Sequence, residues 1–72
     1  MNLPSTLKGL RDRIGVLEIL RDSYAQSVVF AEHKETADFY SAKVAEVDAE
    51  KDACEAALVK KAKELVEDVR MA

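Results

Sequence analysis

Seventy-two residues, 49% hydrophobic and 35% charged, with two Gly, one Pro and no Trp, describe a helix-rich chain of at most one domain. A single cysteine, Cys54, and a single histidine, His33, exclude an intrachain disulfide and argue against a clustered Cys/His zinc site. The net charge of −3 gives no support to general nucleic-acid binding.

A core drawn from so short a chain is marginal, and small domains are usually completed by disulfides, a metal or association. With the first two set aside, association is the expected source of stability. No apolar run approaches the ~18 residues of a membrane span, and the opening residues lack the charged start and apolar stretch of a secretory signal. Together with the lone thiol, this leads to the expectation of a cytoplasmic protein with no membrane contact.

In chain order, the first predicted element is a helix over about 4–32. Leu3, Leu7, Leu10, Ile14, Leu17, Arg21, Tyr24, Val28 and Ala31 recur at alternating steps of four and three, which places them on one helical stripe with Arg21 its only polar member. Pro4, Ser5 and Thr6 are suitable N-terminal chemistry. Gly9 and Gly15 lie off the stripe, and each weakens a helix by about 1 kcal/mol relative to Ala. Either they admit a close neighbour, or Gly9 separates a short first turn from the main helix.

A turn is expected over about 33–36. Continuing the first stripe by sevens puts Glu35 and Asp38 on the seam, so the pattern fails there. The neighbouring Glu32, His33 and Lys34 are polar, and Thr36 is a plausible N-cap for a new helix. This second helix is expected over about 37–70. Its stripe runs Tyr40, Val44, Val47, Lys51, Cys54, Leu58, Ala62, Leu65, Val69 and Ala72, with a row of alanines (Ala42, Ala45, Ala49, Ala53, Ala56) on the far side. Two segments of similar length joined by a short polar link form an antiparallel hairpin. Pairing positions whose numbers sum to 68 sets Leu17 against Lys51, Ile14 against Cys54 and Leu3 against Leu65. The alternative is one long helix in a parallel coiled coil, since no Gly or Pro marks the turn.

One seam does not account for all the apolar residues. Val16, Ile19, Leu20 and Phe30 lie away from the first stripe, and Phe39 away from the second, so they are the candidate self-association or partner surface. Charge is also segregated along the chain. Residues 1–22 hold four cations against three carboxylates, as do residues 56–72, whereas residues 23–55 hold three cations against eight carboxylates. A hairpin therefore has a slightly basic open end and a strongly acidic turn half.

Candidate chemistry is sparse. His33 with Glu32, Glu35 and Asp38 is read as turn polarity rather than a metal or acid–base site. Asp48, Glu50 and Asp52 lack the glycine of a calcium loop and are read as a solvated helical face. Cys54 lies on the core stripe and is read as a buried structural thiol. Arg21 and Lys51 interrupt apolar stripes about one layer apart, with Tyr24 close by. Their charges are expected to reach Glu18, Asp48 or Glu55 while their stems cover apolar surface. The sharper reading makes Arg21, Tyr24 and Lys51 a cationic site for a small anionic ligand such as a nucleotide.

The sequence thus points to an all-α hairpin assembling into a homo-oligomeric bundle and acting, without catalysis or cofactor, through protein–protein contact as an adaptor, inhibitor or assembly factor. A receptor or sequestering protein for an anionic ligand is the second reading, and a bundle that binds RNA or DNA at its basic end is the third.

Overall fold

The computed structural model describes the backbone of residues 3–71 and the side chains of residues 3–67. It holds two helices, α1 (Leu7–Val29) and α2 (Lys34–Met71), and no strand among the described residues. They pack against each other over the length of α1 and form a hairpin. The stripe positions Val69 and Ala72 lie outside the described side chains.

Local chemistry fixes where α1 begins. Thr6 is extended and caps the helix, its hydroxyl accepting a hydrogen bond from the Gly9 amide at 3.0 Å. Pro4 folds back over Gly9 so closely that a Cβ built there would stand 2.9 Å from the Pro4 Cβ. Leu3 to Thr6 therefore form a non-helical lead-in, and the helix starts three residues later than the leucine pattern suggests. Gly9 lies inside the first turn of α1 and does not divide the helix.

At the other end the Phe30 amide donates to the Gln26 carbonyl at 3.0 Å and the Ala31 amide to the Val28 carbonyl at 3.3 Å, tightening the last turn. Phe30 to His33 make the connection, with no positive φ at any described residue. That is why the turn needs no glycine. α2 then begins two residues ahead of Thr36, which sits in its first turn. The His33 carbonyl accepts from the Ala37 amide at 3.1 Å, and Glu35 in the first turn complements the helix dipole.

The core is short. Leu10 and Leu17 from α1 and Val47 and Cys54 from α2 are buried, with Ile14, Leu20, Tyr24, Ala57 and Leu58 packed around them. Three ion pairs between the helices set the register: Arg13 with Glu50 at 2.5 Å, Arg21 with Asp48 at 2.6 Å and Lys51 with Glu18 at 3.4 Å. Their position numbers sum to 63, 69 and 69, close to the register expected from the stripes.

The helices are unequal. At 1.5 Å per residue, the 23 residues of α1 span about 35 Å and the 38 residues of α2 about 57 Å. The molecule is accordingly a rod of 59 × 16 × 15 Å. In the observed register α2 runs on past the start of α1, and from about Ala62 onward it is accompanied by the lead-in of residues 3–6 and by Leu7.

Candidate interaction surface

Helical periodicity dictates two faces on α1. The stripe through Leu10, Leu17 and Tyr24 meets α2, and the side away from it carries Val16, Ile19, Ser23 and Phe30. Because a two-helix hairpin covers only one side of each helix, this second line is left open. Ile19 is 71% exposed and Phe30 79%, and Val16 is also exposed. Leu20 behaves differently, because it packs partly against the core. It belongs as much to the hairpin seam as to the open face.

Phe39 is exposed on α2 near the turn. Its ring meets Tyr40 edge-on at 5.2 Å between centroids, and the Lys43 ammonium lies 5.5 Å above it. Tyr40 in turn faces Tyr24 across the seam at 6.0 Å. This aromatic clasp differs from the stripe pairing, which sets Tyr24 against Val44. The two tyrosine positions sum to 64, so the rings meet one helical turn away from that pairing.

Further exposed apolar residues lie outside the surface expected from the sequence. Val29 stands beside Phe30 at the turn end, and Val59 and Val66 lie near the open end. The seven-residue spacing of Val59 and Val66, off the core stripe, is the signal that points to them. Leu65 is on the stripe yet half exposed, because α1 starts only at Leu7 and gives the far part of α2 little cover. Val59, Ala62 and Val66, with Lys63 and Glu67, line a shallow apolar depression there. Asp22, Ala25, Gln26, Val29 and Phe30 line another at the turn end.

The two stripe cations are engaged by carboxylates. The Arg21 Nε donates to Asp48 Oδ1 at 2.6 Å, while the Lys51 Nζ lies 3.4 Å from Glu18 and 3.9 Å from Glu55. Both side chains are only partly covered, so these pairs are worth little net stability. An anion arriving at this layer would compete with carboxylates already in place. Tyr24 spends its ring on Tyr40.

The acidic residues of the expected solvated face divide in use: Asp48 and Glu50 hold Arg21 and Arg13, and Asp52 is exposed on helical backbone. His33, Glu32, Glu35 and Asp38 are all exposed around the turn. Among the described residues, no group of three or more His, Cys, Asp or Glu is placed to hold a metal ion. No described helix is long and apolar enough to cross a membrane.

Cys54 is fully buried. Burial pushes its thiol above the ordinary value, the nearby Glu50 carboxylate adds to the effect, and Arg13 opposes it. The hydrogen bond to Glu50 raises the Arg13 guanidinium further, so the guanidinium stays charged. The thiol is therefore protonated and shielded, the opposite of a nucleophile's setting.

No protein-family model, curated protein or solved structure matches the chain.

Proposed function

We propose that this chain is a self-associating helical module that works by protein–protein contact, as an adaptor, inhibitor or assembly factor in the cytoplasm, and that it neither catalyses a reaction nor requires a cofactor. The observation that supports this reading is the mismatch between buried and exposed apolar surface. Among the described residues four side chains are buried, while Val16, Ile19, Val29, Phe30, Phe39, Val59, Leu65 and Val66 remain exposed on the same rod.

The excess can be sized. A compact monomer of 8.0 kDa exposes about 4,500 Å², whereas the hairpin exposes 5609 Å². The difference, about 1,100 Å², exceeds the roughly 800 Å² that each partner contributes to a standard stable interface. Its distribution over several sides of the rod favours a bundle of helices over a single shallow contact. Whatever part of the Val16, Ile19, Phe30 and Phe39 surface is left uncovered by association is then the docking face for a further protein.

Sedimentation velocity across micromolar concentrations tests this. The wild type should run as a dimer or larger species, and Ile19→Asp or Phe30→Asp should shift it toward monomer, with loss of helicity where the monomer is not stable. Thermal stability should rise with protein concentration. A wild-type chain that stays a folded monomer over that range, with a melting temperature independent of concentration, overturns self-association.

A further inference from the structure

Building on self-association, we infer that two copies of this chain pack antiparallel, the open end of each rod lying on the turn end of the other. Two independent features converge on this arrangement, one apolar and one electrostatic.

The apolar feature is that two depressions bordered by exposed apolar residues lie at opposite ends of the rod. Val59 and Val66 flank a depression near the open end, and Val29 and Phe30 border another at the turn. Phe30 stands level with the first turns of α2, so Val66 lies roughly thirty residues further along that helix, about 45 Å away. No bending of one hairpin brings these patches together. A second copy running in the opposite direction does so twice, once at each end.

The electrostatic feature is the charge beside each patch. The turn carries Glu32, Glu35 and Asp38 against Lys34, all exposed. The open end carries Lys60, Lys61 and Lys63 against Glu64 and Glu67. The ion pairs described within the hairpin join only Arg13, Glu18, Arg21, Lys43, Glu46, Asp48, Glu50, Lys51 and Glu55, so they use neither set. Parallel packing would set acid on acid and base on base. Antiparallel packing sets each basic end on an acidic one, which selects orientation even where it adds little affinity.

Such a dimer is isologous and therefore closed. The area it needs to cover, about 800 Å² per copy, is available in the excess surface of the rod. Its two-fold axis falls near mid-rod.

The test uses the wild-type chain mixed from ¹⁴N- and ¹⁵N-labelled preparations and treated with a zero-length carbodiimide, which joins lysines to carboxylates in contact. Mixed-isotope peptides linking Lys60 or Lys63 to Glu32, Glu35 or Asp38 are expected, since a single hairpin holds these groups too far apart to react. In a second arm, Lys60→Glu/Lys63→Glu and Glu32→Lys/Glu35→Lys should each weaken dimerisation about tenfold at low salt. Mixing the two variants should restore a heterodimer, and the differences should shrink as salt is raised. A dimer lacking end-to-end crosslinks and indifferent to both charge reversals overturns the antiparallel arrangement while leaving self-association standing. A monomeric wild type overturns both.

Discussion

Gly9 and Gly15 sit six positions apart on one helix and have opposite requirements. A Cβ at Gly9 would meet Pro4 at 2.9 Å and the Thr6 hydroxyl at 3.0 Å, the two groups that shape the start of α1. At Gly15 a Cβ would meet nothing within 4 Å. Gly15→Ala should therefore raise the melting temperature, with a gain of about 1 kcal/mol from helix propensity. Gly9→Ala should lower it, because the lead-in must shift to admit the methyl. Thermal denaturation of both variants checks the pair. A loss of stability in Gly15→Ala would place a neighbouring copy against that position.

Cys54 gives a prediction with a definite sign. Its folded-state thiol titrates above the ordinary value of 9.0, so below that pH the thiol is neutral in both states and its contribution to stability is complete. As pH climbs past 9.0 the unfolded chain loses the proton first, and stability falls by at most about 1.4 kcal/mol per pH unit. Urea denaturation should show this alkaline decline in the wild type and a shallower one in Cys54→Ala. Equal slopes would mean that the thiol is not held neutral by the fold. The buried role of Cys54 is legible from its place on the stripe, as are the carboxylates that receive Arg21 and Lys51. The first follows from 3.6-residue periodicity along one helix, the second from pairing the two stripes across the hairpin. The Tyr24–Tyr40 clasp is not legible, because the stripe pairing sets Tyr24 against Val44 and the ring contact depends on how large side chains lean across the seam.

At the scale of elements, two stripes with a break between them are enough to read two helices and a turn. Their ends are less legible. Leu3 and Leu7 continue the stripe, yet Thr6 captures the Gly9 amide and ends the helix between them. Phe30 and Ala31 fit a helical pattern, yet the chain leaves the helix there without a breaker residue. Caps and turns are decided by single hydrogen bonds, which hydrophobic patterns do not encode. The unequal helix lengths also escape pattern reasoning, since similar stripe lengths conceal where α1 stops covering α2. Amide exchange should expose this difference: protection should be greatest around Leu10–Leu17 and Val47–Cys54 and weak beyond Ala62 in dilute, monomeric protein. Protection of residues 62–67 that grows with concentration would place a second copy over that stretch. Strong protection there at all concentrations would contradict an open end left uncovered by α1.

At the scale of the molecule, the rod's radius of gyration is 16.3 Å, against about 11 Å for a compact domain of its length. Surplus apolar residues off the stripes signal incomplete burial, and the elongated shape accounts for much of it. How many copies complete the core is set by shapes and charges at a distance from one another, which one-dimensional patterning samples only coarsely. The segregation of charge is nevertheless plain in the sequence, and it is the shape that gives it a direction, by separating the acidic turn from the basic end.

The placement of the buried core within the rod also bears on how fast the chain folds. No residue beside the turn is fully buried, and the buried pair closest to it, Leu17 and Val47, is separated by thirty positions. Closing a loop of that size must precede any reward from core burial, with the Tyr24–Tyr40 contact as the one clasp formed earlier. Because both arms become helical locally within about a microsecond, the barrier belongs to the meeting of two preformed rods rather than to the turn. The hairpin should therefore tolerate changes at Phe30–His33 with little effect on its folding rate, and be slowed chiefly by changes at Leu17 and Val47.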